Sequence, residues 1–173
     1  MRNQFSLKNK VAVVTGAGRG NGFAIAKALF NAGATIYMTD LLKEELRASA
    51  QSLGQKRVKW IVADLSNNRQ IQKLVRALEK KERHIDILVN NAGISLSEPS
   101  EIYGEENWDK TLSVNLKAPF LLSQAIVRRL MKADGSIINI TSIGAEQGFS
   151  NNPAYVASKG GLKQLTKALA KDW

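Results

Sequence analysis

The sequence predicts an α/β fold, a doubly wound parallel sheet covered by helices on both faces. Three observations carry this expectation. Short β-branched, apolar runs alternate with longer amphipathic stretches along the whole chain. The runs are apolar at successive positions rather than at every second one, as strands buried on both faces are. A cluster of glycines also follows the first run at once, where a strand would turn into a helix.

The strands are expected at "KVAVVT" (10–15), "TIYMTD" (35–40), "VKWIVA" (58–63), "IDILVN" (85–90) and "SIINIT" (136–141). Between them, apolar residues recur at helical spacing over 21–32, 42–53, 67–83 and 105–132. A last helix should begin near Pro153, a favourable first-turn residue, and run to the end of the sequence. Right-handed crossovers would bring the loops after the strands to one rim of the sheet, where ligands of such folds bind.

The 173 residues suit one domain, and 44% hydrophobic with 23% charged residues is the balance of a globular protein. No apolar run approaches the roughly 20 residues that span a membrane. The opening "MRNQFSLKNK" lacks the apolar segment of a secretory signal, so a cytoplasmic location is expected. Cysteine is absent, which excludes disulfides, a thiol nucleophile and thiolate metal sites. The one histidine, His84, reads as a solvated residue ahead of a strand, and a zinc site is not expected. A net charge of +10 could attract nucleic acid, anionic lipid or an anionic cofactor. The cations are dispersed along helices among Glu and Asp, however, with no aromatic-rich basic stripe. They read as solvated helix faces, with neither nucleic acid nor membrane as partner.

The first strand ends in "TGAGRGNG". The pattern T-G-x-x-x-G-x-G is met by Thr15, Gly16, Gly20 and Gly22, with Arg19 inside the loop. Such glycines let backbone approach a pyrophosphate, and the following helix turns its free N–H groups toward the anion. A tight turn with packing glycines is the plainer alternative. Asp40 closes the second strand, where a carboxylate can accept from both hydroxyls of an adenosine ribose and would repel a 2′-phosphate. It could equally cap the next helix. Arg19 pulls the other way, toward a 2′-phosphate, but Asp40 at the strand tip weighs more, so NAD is expected over NADP. Asp64, with Leu65, ends the third strand and could touch an adenine edge. Asn90, Asn91, Ala92 and Gly93 end the fourth and would wall the cofactor. Both groups are also ordinary turn-formers.

Tyr155 and Lys159 stand four apart in "NPAYVASKG" and share one helix face. A free tyrosine, with a pKa near 10, is about three units too weak a base at neutral pH, roughly 4 kcal/mol. A neighbouring ammonium favours the phenolate. Such pairs also occur on ordinary helices. Here Ser142 emerges just past the fifth strand, at the same rim, and can orient a carbonyl or alcohol. Asn115 precedes Pro119, whose missing N–H leaves the carbonyl of residue 115 without its helical partner and able to hold a water.

Taken together, T-G-x-x-x-G-x-G, the strand-end Asp, N-N-A-G and Asn…Ser…Tyr-x-x-x-Lys resemble the short-chain dehydrogenase/reductase family, over nearly the whole chain. The resemblance implies a Rossmann-like sheet and hydride transfer between a nicotinamide cofactor and a secondary alcohol or ketone, in a homo-oligomer when the chain is complete. It makes Tyr155 the acid/base. Lys159 would bind the nicotinamide ribose and lower the tyrosine pKa, Ser142 would orient substrate, and Asn115 would hold the water of a proton relay. The wording from "FSLKNKVAVVTG" to "ASKGGLKQLTKALAKDW" is similar to the sugar and polyol branch that includes gluconate 5-dehydrogenases. Yet "AGISLSEPS" offers no basic residue for a sugar carboxylate.

Two departures stand out. Asn21 replaces the apolar residue usual in the glycine loop. The sequence also stops at Trp173, inside the last helix. The resemblance implies strand order 3-2-1-4-5 with the family's strands 6 and 7, a cofactor-closing loop and a substrate cover missing. The expectation is therefore an incomplete domain over 1–173 that aggregates or associates and binds NAD weakly. The alternative is a remnant that binds cofactor or a subunit without turnover.

Overall fold

The computed structural model describes residues 5–54 and 56–173, so part of the N-terminal stretch read for a leader lies outside it. Five strands form one parallel sheet in the order β3-β2-β1-β4-β5. They are β1 (Val11–Thr15), β2 (Thr35–Asp40), β3 (Val58–Val62), β4 (Ile85–Asn90) and β5 (Met131–Asn139). The helices are α1 (Gly20–Asn31), α2 (Lys43–Leu53), α3 (Asn68–Glu79), α4 (Glu105–Leu112), α5 (Ala118–Arg129) and α6 (Pro153–Asp172). The sheet order reverses between β1 and β4, so the loops after these strands diverge and leave a crevice at their C-terminal ends.

Alternate residues of each strand feed two cores. Val11 and Val13 of β1 join Ile71, Leu74 and Leu78 of α3 and Leu122 and Ile126 of α5 on one face. Ala12 and Val14 join Ala26 of α1 and Leu46 and Ala50 of α2 on the other. Burial on both faces explains why the strands read as continuous apolar runs. α3 starts where Asn67 accepts hydrogen bonds from the N–H groups of Arg69 and Gln70.

Three elements differ from the sequence reading by more than one residue at an end. The helix expected over 67–83 ends at Glu79, because Glu82 leaves the helical path to accept a hydrogen bond from the Tyr37 hydroxyl at 2.7 Å. The helix expected over 105–132 is α4 and α5 joined by a π-helical turn, Ser113–Lys117. The wide turn ends beside Pro119, which has no N–H to continue an α-helical ladder. The strand expected over 136–141 begins at Met131 and ends at Asn139. A bulge separates the Ile85–Met131 pair from the Ile87–Ser136 pair, and the carbonyl of Ile140 turns to the Lys159 ammonium.

Candidate functional site

The glycine-loop half of the crevice is organised by the Thr15 hydroxyl. It accepts from the N–H groups of Asn91 (3.0 Å) and Ala92 (2.9 Å) and donates to the carbonyl of Val89. The Asn91 amide in turn donates to the carbonyls of Thr15 (2.9 Å) and Gly16 (3.2 Å). These bonds tie the end of β1 to the end of β4. Gly22 is compelled by the result: a Cβ there would lie 2.0 Å from the Gly16 carbonyl oxygen and 2.5 Å from Asn91 Nδ2. Gly20 has φ +56°, a left-handed backbone that favours glycine, and nothing within 4 Å of where its Cβ would be.

A cleft of about 480 Å³ opens over this loop. Gly16, Arg19, Gly22, Asp40, Asp64, Leu65, Asn91, Ala92 and Gly93 line it, whereas Gly20, also expected at the cofactor, is not among its lining residues. The N-terminus of α1 has neither a side-chain cap nor an acidic residue in its first turn, so its free N–H groups and positive dipole end are available to an anion. The Asp40 carboxylate is held by two backbone donors, the N–H of Gly18 at 2.9 Å and that of Leu42 at 3.1 Å. It therefore braces the glycine loop and stands two residues ahead of the position that caps α2. One lone pair on each oxygen remains for a ribose hydroxyl. The Asp64 carboxylate closes a turn on Ser66, and Asn90 ties β4 to α5 and β5 by donating to Ser123 and Asn139. These features fit a dinucleotide with its pyrophosphate at α1 and its adenosine ribose at Asp40.

The other half of the site gathers at the start of α6. Lys159 is 4% exposed, and its ammonium donates to the Ile140 carbonyl at 2.7 Å. Burial pulls its pKa below the usual lysine range. The ammonium stands 5.8 Å from the centre of the Tyr155 ring. A Cβ on Gly93 would lie 3.4 Å from Lys159 Nζ and 3.3 Å from Asn115 Oδ1, so the end of β4, the π turn and α6 converge there. Asn115 is fully buried: Oδ1 accepts from the Ile94 N–H at 2.8 Å, and Nδ2 donates to the Ile94 carbonyl at 2.9 Å and to Ser158 Oγ at 3.0 Å. Its side chain is thus a brace between the 93–98 segment and α6. Ser142 ends the segment after β5, and its hydroxyl accepts from the Gly144 N–H at 3.1 Å. Phe149 stacks on Tyr155 with ring centres 6.5 Å apart and 18° between the planes.

Sequence reasoning missed Lys110 and Val114, which line the cleft from α4 and the π turn. Their spacing of four was the available signal. It missed that Asn152 receives a hydrogen bond from Ser95 (2.7 Å) and gives one to Ser97 (2.8 Å), fastening the start of α6 to the segment after β4. His84 lies at the opposite rim and is not simply solvated: its Nε2 is 3.5 Å from the Asp86 carboxylate. Among the described residues no helix is long and apolar enough to cross a membrane.

Comparison with known proteins agrees with this architecture. A family model described as short chain dehydrogenase matches residues 10–173. The chain is 38% identical over 172 residues to D-threitol dehydrogenase of Mycolicibacterium smegmatis, covering 98% of this chain and 66% of that protein. It is 42% identical over 176 residues to 2-dehydro-3-deoxy-D-gluconate 5-dehydrogenase of Bacillus subtilis, covering 100% of this chain and 68% of that protein. The solved structure of a gluconate 5-dehydrogenase from Burkholderia cenocepacia, in complex with NADP and tartrate, superposes with a TM-score of 0.87 at 32% identity, covering 98% of this chain and 68% of that one. The chain thus spans about two thirds of the length of these relatives.

Proposed function

The chain belongs to the short chain dehydrogenase family, and from that membership we propose an oxidoreductase that interconverts a secondary alcohol, of the sugar or polyol kind, and its ketone with NAD(H). The carrying observation is the convergence of Gly93, Asn115 and Lys159 beside Tyr155, at one end of a cleft whose other end is the glycine loop. The nicotinamide, when bound, supplies the hydride acceptor or donor. Tyr155 holds or delivers the proton of the substrate oxygen. Ser142, already fixed by the Gly144 N–H, orients that oxygen through its own O–H. Lys159 offers its remaining donors to the nicotinamide ribose. Asn115 sets the position of both neighbouring segments, and the backbone of the π turn is where a relay water would sit. The reading takes the chain as part of one nucleotide-binding domain that works in a homo-oligomer.

NAD is preferred in this reading because the Asp40 carboxylate is locked toward the cleft and a 2′-phosphate would meet its charge at close range. NADP is the second reading, favoured by the NADP in the Burkholderia cenocepacia structure and by Arg19, which makes no ion pair among the described residues. Fluorescence titration with NADH and NADPH separates the two. Tighter NADH binding that is lost in Asp40→Ala supports the first reading, and equal or tighter NADPH binding refutes it. Nicotinamide absorbance, followed with a panel of alcohols and ketones, tests the reaction itself.

A further inference from the structure

Two segments frame the approach to Tyr155: residues 93–100 after β4 and residues 140–152 after β5. Neither contains a lysine or arginine, and their only charged residues are Glu98 and Glu146. The first two lysines of α6 are both engaged. Lys163 is paired with the Glu146 carboxylate, and Lys159 is turned to the Ile140 carbonyl. The unpaired cations of the cleft, Arg19 and Lys110, lie with the nucleotide-side residues. A substrate carboxylate beside Tyr155 would find no free cation among the described residues of these two segments.

What the approach does offer is a strip of neutral polar groups next to an aromatic face. Ser95 donates its hydroxyl proton to Asn152 Oδ1, and Asn152 Nδ2 donates to Ser97 Oγ. By inventory, this leaves the second N–H of Asn152 and the hydroxyl proton of Ser97 as donors, and lone pairs on Ser95 as acceptors. A mixed set of donors and acceptors matches vicinal hydroxyls, each of which gives and takes a hydrogen bond. A carboxylate only accepts. Phe149, 38% exposed and stacked on Tyr155, presents a flat apolar surface suited to the C–H face of a carbohydrate chain. Asn152 immediately precedes α6 and stands three positions ahead of Tyr155, which places the strip at the end of the helix that carries the proposed acid/base.

We propose that Ser95, Asn152 and Ser97 form a polyol-recognition subsite, and that the substrate is an uncharged polyhydroxy alcohol or ketone rather than a sugar acid. The proposal rests on the oxidoreductase reading for its placement of Tyr155. It selects between the two chemistries seen among the relatives, a threitol and a deoxygluconate.

The test is saturation-transfer NMR of threitol and of gluconate, at equal concentration, with the chain in the presence and in the absence of NADH. NADH binding is followed separately by its fluorescence. Threitol should give the stronger transfer, with an apparent affinity at least about tenfold above that of gluconate, since a carboxylate would lose its hydration there and gain no cationic partner. Asn152→Leu should abolish the threitol signal and Ser97→Ala should weaken it, both with NADH binding intact. Equal or stronger transfer to gluconate overturns the proposal, as does wild-type threitol transfer in both variants or no threitol transfer in either state. Loss of NADH binding in the unmodified chain would instead sink the nucleotide-site reading. The measurements without nucleotide would still judge the strip.

Discussion

Replacing Asn115 separates a structural brace from a dispensable polar group. In Asn115→Ala the Ile94 N–H and the Ile94 carbonyl both lose their partners, while Ser158 keeps its bond to the Tyr155 carbonyl at 2.7 Å. Each unpaired buried group costs about 1–3 kcal/mol. Two such groups bound the loss at about 2–6 kcal/mol, and a water entering the vacated space would bring it to the lower end. Asn115→Asp should be worse at neutral pH. It keeps an acceptor for the Ile94 N–H but sets an oxygen against the Ile94 carbonyl, in a side chain that is fully buried. A loss of about 3 kcal/mol or more is expected for the buried charge, easing as acid protonates the new carboxyl. Urea unfolding followed by circular dichroism reads both as a fall in midpoint at constant slope. Stabilities within about 0.5 kcal/mol of the parent in both variants, or an Asp variant steadier than the Ala variant at neutral pH, would refute the bracing role.

Three further outcomes are expected. Gly22→Ala should abolish NADH binding and lower stability by about 1–3 kcal/mol, because its Cβ meets backbone that cannot yield. Gly20→Ala, strained by φ +56° but unobstructed, should cost only about 1–2 kcal/mol; comparable NADH affinities in the two would contradict the close approach. Tyr155→Phe should remove turnover while NADH binding stays near the parent value; substantial activity there would place the acid/base elsewhere. For Asp86, burial works to raise the pKa, but hydrogen bonds from Lys10 and the Val11 N–H, with the Lys10 charge, hold the carboxyl below its usual range. A depressed folded value means that the stabilisation is present above the unfolded carboxyl pKa and is lost as pH falls through the folded one. Acid titration of stability should therefore show a loss below the ordinary aspartate range that Asp86→Asn flattens, and an unchanged acid limb would show that Asp86 does not carry it.

Strand identity was legible because burial on both faces writes an unbroken apolar run, as in β2 and β4, whose limits the sequence reading placed correctly. Most residues lining the cleft over the glycine loop were legible for a related reason. Glycines and short polar residues at strand ends are permitted there only by backbone geometry, and the Gly16–Gly22 contact shows that geometry at work. Boundaries set by side chains distant in sequence were not legible. The end of α3 depends on Glu82 reaching Tyr37, and the end of β5 depends on Lys159 taking the Ile140 carbonyl. The Ser95–Asn152–Ser97 bridge was hidden likewise, because its partners stand more than fifty positions apart and carry no periodic pattern.

Both halves of the site hang on the end of β4. Asn91 and Ala92 bond back to Thr15 and fix the glycine loop, while Ile94 bonds forward to Asn115 and fixes α6. Gly93 lies between them and faces Lys159 without a side chain. Four consecutive residues therefore set the distance from the glycine loop, where the proposed pyrophosphate would lie, to Tyr155. Hydride transfer is sensitive to that distance, since reacting atoms must come within about 3–3.5 Å. A displacement of this segment would misplace nucleotide and acid/base together. A change at Asn115 should accordingly weaken NADH binding as well as stability, although Asn115 does not line the nucleotide cleft. A change at Tyr155, which bonds neither to Asn91 nor to Ile94 through its ring, should leave the cradle as it is. The contrast between these two substitutions in one fluorescence titration reports whether the end of β4 is the shared support or whether the two halves of the site are held independently.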